Sequence, residues 1–127
     1  MYLLDTNFLI DCLSGDSDFI YKLKELRQRN VYVSAVSSAE LLSGAKEHQI
    51  TPCNNFLDSF LIIPVTDSLA REAGITRAQL KIKGYKKSLA DILIGQTAIE
   101  NGLVLVTGNS KDFPQLASRK LLMSYPG

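Results

Sequence analysis

Apolar residues occur along this chain in short unbroken runs and, between those runs, at helical spacing. The runs at 2–4 and 103–106 contain no charged residue, which is typical of strands covered on both faces of a parallel sheet. Phe19, Leu23 and Leu26 recur at helical spacing behind the capping residues Asp16 and Asp18. The pattern therefore predicts strands that alternate with helices.

The predicted elements follow from these runs and from capping residues. We expect strands at 2–4, 31–36, 61–65, 103–106 and 121–123. We expect helices from Asn7 onward and at 19–29, 37–47, 51–60, 66–83 and 88–100, with a helical turn at 111–116. Pro64 indicates an outer strand or a strand end. This alternation predicts an α/β fold, a three-layer sandwich around a central, mostly parallel sheet of about five strands, and residues 1–127 as a single domain.

Composition narrows the functional classes. The chain has 127 residues, 46% hydrophobic content and a formal net charge of +1, as expected of one soluble domain with a real core. No apolar run has the length of a membrane span, and no signal segment opens the chain, so we expect a cytoplasmic protein. Cys12 and Cys53 lack metal-type spacing, and His48 stands alone, which disfavours zinc sites and metal-free RNA cleavage by paired histidines.

Acidic residues follow several of the predicted strands. Asp5 ends the first predicted strand, and Glu40 lies in the first turn after the second strand. Asp91 lies in the first turn of the helix that precedes the fourth strand. Asn109 and Asp112 follow the fourth strand. In right-handed βαβ units, the carboxyl ends of strands and the amino ends of helices share one edge of the sheet. We therefore expect all five side chains to meet there.

Helix capping is an alternative explanation for two of these acids. Ser37 to Glu40 and Ser88 to Asp91 both have the spacing of a capping box, in which a carboxylate bonds back to the cap residue. Asp91, however, shares a helix face with small and apolar residues such as Ile94, where a charge needs a partner. Because Glu40 and Asp91 are both expected at the same edge of the sheet, a site that they share is favoured over capping alone.

Carboxylates brought this close repel and raise one another's pKa unless a hard divalent cation lies among them. Oxygen ligands without paired Cys or His favour Mg²⁺ or Mn²⁺. Such ions activate water and stabilise the charge that develops on a phosphate. The acidic set therefore indicates metal-dependent phosphodiester hydrolysis.

Four segments, in this order, carry a resemblance to a known family: Asp5-Thr6-Asn7, Glu40 after the second strand, residues 88–94, and residues 107–113. Over about residues 1 to 123 the chain resembles the PIN-domain ribonucleases, and among them the VapC-like toxins. The resemblance implies an endoribonuclease that depends on Mg²⁺ or Mn²⁺ and uses no nucleotide cofactor. It also implies a homodimer held silent by a small cognate antitoxin.

The resemblance also assigns roles by position. Asp5, Glu40 and Asp91 match the family's acidic metal ligands, and Asp112 matches its fourth acidic position. Asn109 is expected near the metal or the substrate, while Thr6, Asn7 and Thr107 match supporting residues. Gly108 stands where an arginine is frequent, which removes one expected substrate contact.

RNA binding requires local positive charge in a nearly neutral chain. Four lysines and a tyrosine that could stack on a base precede Asp91 closely: Lys81, Lys83, Tyr85, Lys86 and Lys87. The same segment equally fits a solvated linker. Both interpretations stay open at the level of sequence.

Two other functional classes compete with the nuclease. A phosphoacceptor receiver domain has similar length and winding, but Asp5 lacks an adjacent acid and Asp67 is an ambiguous acceptor. A non-catalytic binding module with the same fold remains open, because capping explains two of the acids.

Overall fold

A computed structural model describes residues 1–126 as five strands and seven α-helices. The strands are β1 (Tyr2–Leu4), β2 (Val31–Ser34), β3 (Leu61–Ile63), β4 (Val104–Thr107) and β5 (Leu122–Ser124). The helices are α1 (Thr6–Leu13), α2 (Ser17–Leu26), α3 (Ala35–Ser43), α4 (Ile50–Leu57), α5 (Asp67–Ile82), α6 (Leu89–Asn101) and α7 (Pro114–Ala117). Two 3₁₀ turns lie at Glu47–Gln49 and Ser110–Asp112.

The strands form one sheet in the order β3-β2-β1-β4-β5, and every pairing is parallel. Leu3 and Leu105 face a core shared with α6 and α7, while Leu4 and Val106 face a core shared with α1, α2, α3 and α4. Successive strand residues therefore bury opposite faces of the sheet. The predicted three-layer α/β sandwich is confirmed, and β1 lies at its centre.

The second strand is shorter than the sequence predicted. It ends at Ser34, whose hydroxyl accepts a hydrogen bond from Val36 N at 3.1 Å and caps α3. The helix therefore begins at Ala35 and not at Ser37. The β-branched residues Val33 and Val36 favoured a longer strand, but the capping serine between them ends it.

Other boundaries follow local chemistry. β3 is an edge strand and ends at Ile63, directly before Pro64, in agreement with the outer position that the proline indicated. The predicted turn at 111–116 divides at Phe113, because Pro114 starts α7 and lacks the amide hydrogen needed to continue a helix. The last strand lies one residue later than expected.

The cysteines and the helix lengths complete the description of the fold. Cys12 and Cys53 are both buried free thiols. Within residues 1–126, no helix combines the length and the apolar character needed to cross a membrane.

Candidate active site

Asp5 lies at the carboxyl end of the central strand β1 and is 5% exposed. Its extended backbone makes it the cap of α1, and Thr6 N donates a hydrogen bond of 2.8 Å to Oδ1. Thr107, at the end of β4, donates its hydroxyl to Oδ2 at 2.7 Å. Both carboxylate oxygens of Asp5 are thus oriented by neighbouring elements, which fixes the side chain at this edge of the sheet.

Glu40 reaches the same edge from the second turn of α3, one turn later than the sequence analysis placed it. Thr6 Oγ1 donates to Glu40 Oε1 at 2.7 Å and lies 2.9 Å from Ser37 Oγ. Ser37 is fully buried inside α3 and is not a cap, so the predicted capping box at Ser37 is wrong. A serine–threonine contact between α3 and α1 instead positions the carboxylate.

Asp91 stands in the first turn of α6. The Ser88 hydroxyl accepts a hydrogen bond from Asp91 N at 3.1 Å, so this serine does cap the helix, as the sequence indicated. The next residue, Ile92, is fully buried and packs with Ala73 and Leu80 of α5. The α5–α6 packing therefore fixes the start of α6, and Asp91 is half-buried beside it.

The segment after β4 completes the edge. Asn109 N donates to Thr107 Oγ1 at 3.0 Å, and Asp112 ends the following 3₁₀ turn. A cavity of about 240 Å³ opens between these elements. Its lining residues are Asp5, Thr6, Asn7, Ile10, Glu40, Ser43, Asp91, Asn109 and Asp112. The four carboxylates named from the sequence thus face a single cavity.

The electrostatics of the cavity disfavour this much negative charge. Burial raises the pKa of Asp5 above its ordinary value, and repulsion from Glu40 and Asp112 adds to the rise, while the hydrogen bonds from Thr107 and Thr6 oppose it. Burial also raises the pKa of Asp91, with Asp112, Asp5 and Glu40 contributing. The carboxylates are therefore held together at a cost that a bound cation would relieve.

The donor set fits a hard divalent cation. Asp, Glu and Asn supply only oxygen donors, which Mg²⁺ and Mn²⁺ prefer. Across residues 1–126, no three Asp, Glu, His or Cys side chains yet stand close enough together to hold one ion.

The raised pKa values make the stability of the metal-free protein depend on pH. Between the ordinary value of 3.8 and the raised pKa, Asp91 is ionised in the unfolded chain but protonated in the folded one. The folded state then binds more protons, so stability falls as pH rises through this window. In EDTA, urea midpoints measured at several pH values should show wild type losing stability relative to Asp91→Asn as pH rises above 3.8. A constant difference across the series would contradict the raised pKa.

The residues of the lysine-rich segment at 81–87 have different surroundings. Lys83 and Tyr85 line a separate cavity of about 600 Å³ between α5, α6 and α7. Lys81 and Lys86 are exposed, and only Lys87 contacts an acidic residue of the first cavity, with Nζ 3.4 Å from Asp112 Oδ1. The five residues therefore differ in what they contact, and their joint role in RNA binding stays a prediction.

Three residues at the site had not been assigned to it from the sequence. Ile10 and Ser43 line the acidic cavity, and Ser37 contacts Thr6 beneath it. The position of Ile10, four residues after Thr6 on α1, was a usable signal, because residues four apart share a helix face. Ser37 and Ser43 could be assigned to the site only once α3 was known to begin at Ala35, because the start of the helix decides which residues share a face.

Comparisons with known proteins identify the family of the chain. The family model described as "PIN domain" matches residues 2–118, so the chain belongs to the PIN-domain family. Within that family it is similar to the protein named Ribonuclease VapC2 of Rickettsia felis, with 30% identity over 123 residues covering 91% of this chain and 92% of the relative. The predicted resemblance to the VapC-like group of PIN domains is confirmed.

The chain is also similar in fold and sequence to chains of solved toxin-antitoxin structures. A toxin-antitoxin complex from Klebsiella pneumoniae contains a chain with 29% identity and a TM-score of 0.77, covering 98% of this chain and 97% of that one. The VapBC2 structure from Rickettsia felis, bound to a DNA fragment from their promoter, contains a chain with 26% identity and a TM-score of 0.82. That match covers 97% of each chain.

Proposed function

We propose that this chain is a metal-dependent endoribonuclease that hydrolyses RNA phosphodiester bonds and serves as the toxin of a toxin-antitoxin pair. The observation that carries the proposal is the convergence of Asp5, Glu40, Asp91 and Asp112 on one cavity at the carboxyl edge of the sheet. The relationship to Ribonuclease VapC2 supports RNA as the substrate. Acidic residues at this edge agree with the general position of ligand sites in open α/β sheets.

The proposed roles follow from the contacts. Asp5 and Asp91 are the principal metal ligands, because burial and mutual repulsion give both the strongest need for a cation. Glu40, held by Thr6, and Asp112 complete the acidic set. Thr107 orients Asp5, and Asn109 on the rim of the cavity is positioned to contact the substrate or a metal-bound water.

A bound Mg²⁺ or Mn²⁺ would supply an activated water and charge stabilisation for the scissile phosphate. The chain itself contributes the orientation of the carboxylates and a partly enclosed, polar cavity. Lys87 places a positive charge at the edge of this cavity, where a phosphate backbone would pass. Lys81, Lys83, Tyr85 and Lys86 precede Lys87 closely in the chain and are proposed as further RNA contacts.

The proposed partner is a small antitoxin protein. The solved Klebsiella pneumoniae relative is a toxin-antitoxin complex, which supports an antitoxin for this chain. An apolar cavity of about 330 Å³, lined by Ile10, Leu13, Leu41 and Pro52 among others, adjoins the acidic cavity and shares Ile10 and Glu40 with it. A protein seated there would also reach the carboxylates. We further propose that the toxin acts as a homodimer in the cytoplasm, where its RNA substrate is found.

Cleavage of RNA by the purified, antitoxin-free chain tests this function. Structured and unstructured RNAs are incubated with Mn²⁺ or with EDTA, and products are resolved on gels. We expect discrete internal cuts with Mn²⁺ and intact RNA with EDTA. RNA binding without cuts would favour the binding module, and labelling of the chain by a small phosphodonor would favour the receiver domain.

Thr107→Val tests the orienting role of the threonine. Valine keeps the shape but removes the 2.7 Å hydrogen bond to Asp5, so we expect cleavage to fall about 10- to 100-fold, the usual cost of losing a residue that orients a metal ligand. Thr97→Val is the matched control, because Thr97 is equally buried but bonds to Leu93 O inside α6. Both variants are measured under single turnover. Equal cleavage rates would show that Thr107 has no orienting role in the reaction.

A further inference from the structure

Lys87 differs from the other lysines near the active site in being fixed in place. Its Nζ lies 3.4 Å from Asp112 Oδ1, and its side chain is 20% exposed, against 43% for the aspartate. Its backbone is also held, because Arg77 Nε on α5 donates to Lys87 O at 3.1 Å. The ammonium group is thus paired with Asp112, which lines the acidic cavity, while the backbone of Lys87 is held by α5.

This ion pair divides the carboxylates into two groups. Asp5 and Glu40 accept hydrogen bonds from uncharged threonine hydroxyls, which leaves their negative charge uncompensated. Asp112 instead faces a cation of the chain itself. Among residues 1–126, the salt bridges leave Asp5, Glu40 and Asp91 without a cationic partner, whereas Asp112 is paired with Lys87.

We infer that the Lys87 ammonium takes the place of a second metal ion at Asp112, so that the cavity binds one divalent cation and not two. The inference rests on the proposed nuclease function and specifies how many metal ions its active site binds. Like-charged cations repel, and the repulsion is strong where water is partly excluded. A fixed ammonium beside Asp112 therefore opposes a second ion there and offers its charge to the phosphate of a bound RNA.

Mn²⁺ binding to the purified chain in the absence of RNA tests the inference without measuring activity. Calorimetry and the electron paramagnetic resonance of free Mn²⁺ both count the ions bound per chain. The test variant is Lys87→Met, which keeps an unbranched side chain and removes the charge. Lys87→Arg retains a cation at the same place, and Lys24→Met makes the same chemical change at an exposed position on α2.

We expect one ion per chain for wild type, Lys87→Arg and Lys24→Met, and two for Lys87→Met. The second ion should disappear when Asp112→Asn is added to Lys87→Met, because its ligand is then lost. A single ion in a folded Lys87→Met chain, or two ions in wild type, overturns the inference and leaves the nuclease proposal standing. A wild-type chain that binds no Mn²⁺ overturns both.

Discussion

Asp91→Asn is expected to lower the rate of RNA cleavage by at least about 10²- to 10³-fold, the scale on which loss of one charge-stabilising group acts. The amide keeps the size of the side chain and the backbone bond to Ser88, but it removes a half-buried negative charge from the cavity. Single-turnover cleavage of a labelled RNA with saturating Mn²⁺ measures the effect.

The control for Asp91→Asn is Asp58→Asn, the same chemical change at an exposed residue at the end of α4. We expect this control to cut RNA at the wild-type rate. Thermal melting of both variants checks that the fold is kept. Full cleavage by a folded Asp91→Asn chain would show that this carboxylate has no part in the reaction.

Removal of divalent cations is expected to abolish cleavage, and Mn²⁺ is expected to restore it and to stabilise the fold. A ligand present at 100 times its dissociation constant stabilises the folded state by about 2.7 kcal/mol. For a domain of 127 residues, that corresponds to a rise in Tm of about 10 °C. The rise is expected because a cation compensates the carboxylates of Asp5 and Asp91, whose pKa values are raised by burial and, to a smaller extent, by mutual repulsion.

Differential scanning calorimetry in EDTA and in Mn²⁺ measures this stabilisation. The matched control is the double variant Asp5→Asn with Asp91→Asn, which lacks both principal ligands and should show almost no rise in Tm. An equal rise in the double variant would mean that Mn²⁺ binds elsewhere. Cleavage that persists in EDTA after exhaustive dialysis would exclude metal dependence.

The sequence predicted the fold and the meeting of the carboxylates because both follow from regular elements. Asp5 directly follows an apolar strand, and Asp91 follows a capping serine, so strand ends and helix starts placed both residues at one edge of the sheet. The exit of β4 placed Asp112 in the same way. These positions depend on backbone topology, which a hydrophobic pattern specifies well.

Features that depend on single side chains could not be obtained in this way. Ser34 and Ser37 are equally good capping residues, and only the actual end of β2 selects Ser34 and leaves Ser37 to contact Thr6. The lysines before Asp91 lie close in sequence, but Lys83 lines the cavity between α5, α6 and α7 whereas Lys87 pairs with Asp112. Loop geometry of this kind has no periodic signal in a sequence.

Anomalous diffraction from crystals of the antitoxin-free chain grown with Mn²⁺ tests the central claim most directly, because it locates the ion without reference to activity. We expect one strong peak in the cavity, within about 2.0–2.4 Å of carboxylate oxygens of Asp5 and Asp91, taking the known Mg²⁺ and Ca²⁺ distances as bounds. Crystals that bind Mn²⁺ only at other positions, or whose cavity stays without a peak at millimolar Mn²⁺, would contradict the proposed metal centre.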